Sequence, residues 1–295
     1  MNRFLKFTIL ALAGIGTLSL SACGPYEPMR EQVAARLASP VWMIKRPVEA
    51  GPFILTTFER MHERNRPAKL YIEGAGEADE TIGGKLFNPT PRNPVGLHLA
   101  SMDKADNIAY LARPCQYSGL RDADSECGES YWGDAQFSPE TIGAYHTVLD
   151  NIKARYGVTG FEIVGYNSGA TLAALLASQR KDISSLRTVA GRFDTAALSG
   201  SMHKLRELPQ HHFIGGQDQI APPADLHNYL QALGDTPCVD YSFIQESEHE
   251  KGWVNKWPGL LKNDVPKCYI APKPDFVPIE KPDPIYVPRM SGSKK

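Results

Sequence analysis

A single junction constrains this chain most: the apolar run Phe161-Glu162-Ile163-Val164-Gly165-Tyr166 breaks at Asn167-Ser168 and continues as an Ala- and Leu-rich helical pattern from Gly169 to Arg180. A strand that turns directly into a helix needs small residues where the chain doubles back, and Gly165 and Gly169 stand at those places. The same alternation extends along the chain. Strand patterns at Phe53–Phe58, Lys69–Glu73, Asn107–Ala112, Leu186–Ala190, His211–Gly215 and Val239–Ile244 alternate with helical patterns at Pro94–Met102, Pro139–Tyr156, Pro223–Leu233 and Lys256–Leu261. This order predicts an α/β fold: a mostly parallel central sheet with helices on both faces, and ligands met by the loops at the carboxyl ends of the strands. A hydrophobic content of 42% over 295 residues suffices for one core, so a single domain over residues 53–270 is expected.

The ends read differently. Arg3 and Lys6 precede an apolar run from Phe7 to Leu18 that is short for a membrane span, and Leu20-Ser21-Ala22-Cys23 follows. Basic, apolar and small-residue segments in that order predict a signal peptide over residues 1–22. The four residues resemble a lipobox, which implies cleavage before Cys23 and attachment of lipid (palmitate among the acyl chains) to its thiol. Gly24 stands where an Asp would retain a Gram-negative lipoprotein in the inner membrane, so the resemblance implies an outer-membrane anchor facing the periplasm. Residues 23–52, with Pro40, Pro47 and Pro52 and only a short helical pattern at Met29–Leu37, read as a tether. Residues 271–295, with six prolines between Pro272 and Pro288, read as a Pro-rich tail.

Lys and Arg total 32 against 33 Asp and Glu, and the signal segment holds two of the bases and none of the acids. The mature chain is therefore mildly acidic, and no nucleic-acid partner is expected. In an oxidising compartment the cysteines other than Cys23, namely Cys115, Cys127, Cys238 and Cys268, are expected to form disulfides. Sequence allows three pairings, and nearest neighbours is the expected one. A zinc site is disfavoured because no C-x-x-C pair occurs, and no metal is expected.

The segment Gly165-Tyr166-Asn167-Ser168-Gly169 resembles the nucleophile elbow of the α/β-hydrolases, with the small flanking residues in register around position 167. The resemblance extends over about residues 68–261. Tyr71-Ile72-Glu73-Gly74-Ala75-Gly76 is similar to the oxyanion loop, which implies backbone donors at Gly74 or Ala75, joined by the N–H of Ser168. The secreted hydrolases it resembles carry an acidic residue where Ala75 stands. The loop Gly216-Gln217-Asp218 is similar to the one that presents the triad acid, and Glu248-His249-Glu250 follows the last strand, where the family places its histidine. The segments Ala109–Tyr117 and Tyr131-Trp132 also look like this secreted branch.

Two departures from a working triad matter. Position 167 is Asn, which tolerates the left-handed backbone of an elbow but has no nucleophilic oxygen. Ser168 is one residue late; sliding the register to it would put Tyr166 on the crowded side of the turn. Asp194 is an alternative acid. His211 and His212, adjacent on a strand, point to opposite faces and cannot share a metal, and Trp253 and Trp257 read as core. Residues 191–209, where a cap would insert, number about twenty, so little or no cap domain is expected. No phosphate loop or H-E-x-x-H helix appears, and no cofactor is expected.

Two functions follow. In the first, the chain is a membrane-anchored lipoprotein, a catalytically degenerate hydrolase fold kept for binding or assembly with a small ester, an amide or a protein partner. The second is an active serine esterase or amidase using Ser168 with His249 and Asp218.

Overall fold

The computed structural model describes residues 30–76, 80–82, 85–117 and 127–268. Cys23, the signal segment and the 271–295 tail lie outside them. In chain order the elements are α1 (Arg30–Ala38), β1 (Ile44–Ala50), β2 (Phe53–Met61), β3 (Ala68–Ile72), a small hairpin of β4 (Glu80–Ile82) and β5 (Lys85–Phe87), α2 (Val95–Met102) and β6 (Asn107–Leu111). Then come α3 (Pro139–Tyr156), β7 (Phe161–Tyr166), α4 (Gly169–Gln179), β8 (Ile183–Val189), α5 (Thr195–Leu198), α6 (Met202–Leu205), β9 (Gln210–Gly215), α7 (Pro223–Leu233), β10 (Val239–Ile244) and α8 (Trp257–Leu260).

Eight strands form one sheet in the order β1-β2-β6-β3-β7-β8-β9-β10. β2 runs antiparallel to β1 and β6, and every other neighbouring pair is parallel. Successive side chains on a strand point to opposite faces, and the core divides accordingly. Leu70, Ile72, Ile163, Leu186 and Ile214 face Leu149, Leu172, Leu176 and Tyr229 of α3, α4 and α7. Tyr71, Tyr110, Val164 and Phe213 face the opposite way, onto Val95 and Leu99 of α2 and the buried Trp253 and Trp257. Parallel strands covered on both faces explain why the strand sequences read as continuous apolar runs.

The helices that flank the site start and stop on local chemistry. Ser138 accepts the N–H of Thr141 at 3.2 Å, Pro139 fills the first turn of α3, and Gly157 closes that helix at φ 70°. Both disulfides join nearest neighbours, Cys115–Cys127 and Cys238–Cys268.

The tether expected over residues 23–52 is corrected from residue 30 onward. Arg30 donates from Nη1 to the carbonyls of Asn88 and Thr90 at 2.8 Å each, Ala34 and Ala38 are buried, and β1 pairs with β2 from Ile44↔Glu59 to Ala50↔Phe53. The prolines misled because none breaks this arrangement. Pro40 lies in a 3₁₀ turn, Pro47 sits on an edge strand, where a missing N–H is tolerated, and Pro52 follows Gly51 in the hairpin turn. The folded domain therefore includes residues 30–52. Between β8 and β9 the chain holds only the short α5 and α6 and the 3₁₀ turn Ser199–Ser201 between them, with no cap domain there.

Candidate active site

The carboxyl ends of β3, β7, β9 and β10 carry the residues of interest. At the end of β7 the backbone turns at Asn167, φ 52°, and α4 begins two residues later. The tightness of this turn is visible at its glycines. A Cβ on Gly165 would lie 2.5 Å from the carbonyl oxygen of Gly169, and one on Gly169 would lie 2.6 Å from the carbonyl oxygens of Ile72 and Glu73. Asn167 is fixed through its own backbone: its N–H donates to Val189 O at 3.3 Å and its carbonyl accepts from Ala170 N and Arg192 N at 3.0 Å each.

The residue at the bend is therefore Asn167. Ser168 already has helical dihedrals, φ −65° and ψ −15°, and its hydroxyl oxygen accepts the N–H of Ala75 at 3.0 Å. The register in which Ser168 occupies the bend is not the one adopted. Asn167 Oδ1 is buried and has no hydrogen-bond partner among the described residues.

Asp218 and His249 meet. His249 Nδ1 lies 2.9 Å from Asp218 Oδ2 and 3.1 Å from Oδ1, and both side chains are buried. Asp218 Oδ1 also accepts the N–H groups of Ile220 (2.9 Å) and Ala221 (2.7 Å). Burial alone would raise the Asp218 pKa, but the His249 hydrogen bond and these amides outweigh it and hold the carboxyl below its ordinary value. The His249 carbonyl accepts Tyr166 Oη at 3.3 Å and Trp253 Nε1 at 3.0 Å, and the imidazole packs 5.4 Å from the Tyr166 ring, over the end of β7. Its other nitrogen, Nε2, is buried with no partner among the described residues.

Two residues that sequence reasoning passed over shape the loop at Gly74 and Ala75. Glu73 is fully buried beneath it; its carboxylate accepts Gly74 N and Tyr110 Oη at 3.1 Å each and lies against the start of α2 at Gly96. Burial drives its pKa up to about 7 against the opposing effect of the amides of Gly74, Gly96 and Leu97 and the Tyr110 hydroxyl. Gln116 braces the loop from outside, donating from Nε2 to Gly74 O (2.9 Å) and Ala75 O (3.1 Å). A carboxylate closing an apolar strand was the one signal for Glu73. Gln116 gave none beyond its place in the Ala109–Tyr117 segment.

The other residues singled out in the sequence have these places. Asp194, the alternative acid, caps α5 by accepting Ala197 N at 2.9 Å. His211 pairs with Ser242 Oγ and His212 with Thr188 Oγ1, on opposite faces of β9. Trp253 and Trp257 are core residues. Among the described residues no cluster of His, Cys, Asp or Glu is arranged to hold a metal.

No family model and no curated protein matches the sequence. Solved structures do match the fold. An α/β serine hydrolase homologue from Coxiella burnetii superposes with TM-score 0.52 at 14% identity, over 74% of this chain and 93% of that one. The chain has the α/β-hydrolase fold. A protein of unknown function from Agrobacterium tumefaciens, described as a candidate α/β hydrolase, gives TM-score 0.54 at 14% identity, with the same coverage of both chains. An α/β serine hydrolase without a lid from Xanthomonas campestris gives 0.50 at 13% identity, over 74% and 89%. In this fold β7 leads to the bend at Asn167, β9 to Asp218 and β10 to His249.

Proposed function

We propose that this chain is an exported lipoprotein, anchored through lipid on Cys23 to the outer membrane and facing the periplasm, whose α/β-hydrolase fold has lost acyl-transfer chemistry and serves binding or assembly. The observation that carries this reading is the carboxamide of Asn167 at the bend, φ 52°. An acyl-transfer enzyme of this fold needs a hydroxyl or thiol there, with its proton passed to the histidine, and an amide supplies neither the nucleophile nor the proton. His249 Nε2, the nitrogen that would take that proton, is buried without a partner among the described residues. The ligand is a small ester or amide, or a protein partner, met by the loops at the carboxyl ends of the strands.

The intact Asp218–His249 pair, 2.9 Å apart, favours one alternative: a serine esterase or amidase in which Ser168 leaves Ala75 and engages His249. Hydrolysis of short-chain nitrophenyl esters by the purified mature protein separates the two. Background rates are expected, whereas turnover abolished by Ser168→Ala establishes the alternative. The anchor rests on Leu20-Ser21-Ala22-Cys23 and on the pairing of the other four cysteines, which suits an oxidising compartment. No helix among the described residues is long and apolar enough to cross a membrane. Incorporation of labelled palmitate that disappears in Cys23→Ala tests the anchor.

A further inference from the structure

We infer that the site carries two coupled losses: besides the missing nucleophile, the Ser168 side chain fills the place where an acyl-transfer enzyme of this fold holds its oxyanion. The inference rests on the catalytically silent reading and extends it to the oxygen-acceptor contact that the site no longer offers. In this fold the oxyanion is bound by the N–H of the residue after the nucleophile and by an N–H of the loop after β3. Here those groups belong to Ser168 and Ala75. The Ala75 N–H is already spent, donating to Ser168 Oγ at 3.0 Å.

The contact is built in from several sides. Ser168 makes no side-chain cap to its own helix, so its hydroxyl serves the loop. The loop cannot retreat, because Gln116 Nε2 grips the carbonyls on both sides of the Ala75 amide, Gly74 O and Ala75 O. Glu73 fixes the neighbouring amide, Gly74 N, at 3.1 Å. Nor is there slack between loop and elbow: a Cβ on Gly74 would lie 3.1 Å from Asn167 Cβ. Ser168 is 9% exposed, so its oxygen is an internal occupant of the donor rather than a solvated side chain swinging past it. A carbonyl, carboxylate or tetrahedral oxyanion reaching this amide must first displace Ser168 Oγ. A small ester or amide therefore binds without resting its carbonyl oxygen on the Ala75 amide.

The consequence is that returning the hydroxyl alone does not return the chemistry. In Asn167→Ser the new hydroxyl attacks the phosphorus of a fluorophosphonate, its proton passes to His249 Nε2, the P–O bond forms and fluoride leaves. The charge that gathers on the phosphoryl oxygen has one amide, Ser168 N–H, where two are needed. Loss of one such donor costs about 10²–10³ in rate.

The test is the second-order labelling rate of four full-length mature proteins: the natural sequence, Asn167→Ser, Asn167→Ser with Ser168→Ala, and Asn167→Ser with Ser168→Thr. The Ser168→Ala double variant is expected to label about 10²-fold faster than Asn167→Ser, and the Ser168→Thr double variant, which keeps a hydroxyl, to stay near the slow single variant. Equal rates for Asn167→Ser and the Ser168→Ala double variant overturn the inference, as does absence of labelling in both when circular dichroism shows them folded. Labelling of the natural sequence that is lost in Ser168→Ala instead overturns the silent reading itself, so the two failures are distinguishable. A readout independent of activity is the Ala75 amide resonance. Ser168→Ala is expected to shift it upfield and speed its hydrogen exchange, and an unchanged resonance contradicts the contact.

Discussion

His249 Nδ1 and Asp218 Oδ2 stand 2.9 Å apart and buried, while the residue at the bend is an amide. In the silent reading this pair has a structural use. Asp218 gathers the imidazole and the amides of Ile220 and Ala221, and so ties the loop after β9 to the loop after β10.

Asp218→Asn is expected to lower stability by about 1–3 kcal/mol, since a buried charged acceptor is exchanged for an amide that brings a competing donor. The Asp218 pKa is lower in the folded protein than in the unfolded chain, so its contribution is full above the unfolded value near 4 and is lost as pH falls through the folded one. Urea midpoints between pH 6 and pH 2 check this. The natural protein is expected to lose more stability across the acid range than Asp218→Asn.

Glu73 gives the opposite sign in a different window. Its folded pKa is raised from 4.5 to about 7, so the native state holds a proton that the unfolded chain has released. Its destabilising effect is absent below about pH 4.5, grows as pH rises to about 7, and then levels at about 3 kcal/mol. In Glu73→Gln the decline in stability between pH 4.5 and 7 is expected to flatten, measured by the same urea midpoints. An unchanged slope assigns the decline to other groups.

The glycines of the elbow separate geometry from composition. Gly165→Ala and Gly169→Ala drive a methyl to within 2.5–2.6 Å of backbone atoms, so each is expected to cost more than about 3 kcal/mol or prevent folding. Gly143 in α3 has open space around its Cα, and Gly143→Ala is expected to stabilise by about 0.5–1 kcal/mol. Thermal midpoints of the three variants decide, and a tolerated Gly165→Ala contradicts the tight turn.

Gln116 offers a test of the brace. Cys115 and Tyr117, its neighbours in sequence, both lie at positive φ, 68° and 61°, and Cys115 is bridged to Cys127. That strained turn presents the carboxamide to Gly74 and Ala75. Gln116→Ala leaves the buried carbonyls of Gly74, Ala75 and Pro89 short of a donor and is expected to cost about 1–3 kcal/mol, with faster hydrogen exchange at the Ala75 amide. Unchanged exchange there places the rigidity of the loop elsewhere.

Much of this architecture was legible in the sequence because local pattern and global fold agree. The strands β6, β7, β9 and β10 are apolar or period-two runs bounded by turn residues, and α3 and α7 carry their own start and stop signals. The elbow was readable from Gly165 and Gly169, since only small residues fit that crossing. What escaped were features set by distant partners. β1 is a strand because β2 pairs with it, and its Pro47 reads as a strand breaker until its edge position is known. Glu73 reaches Tyr110 across 37 positions of sequence, and Gln116 reaches Gly74 and Ala75 across 42 and 41, for which no local spacing exists. The Ser168 contact with Ala75 spans 93 positions and is equally invisible to pattern.

The most direct measurement of the central claim is peptide mapping by mass spectrometry after prolonged exposure of the natural mature protein to a fluorophosphonate. The peptide spanning residues 156–180 is expected to be recovered unmodified, because the hydroxyl nearest the bend is held by Ala75 and the bend itself is an amide. A stoichiometric adduct on Ser168, dependent on His249, contradicts the account and makes this chain a working serine hydrolase.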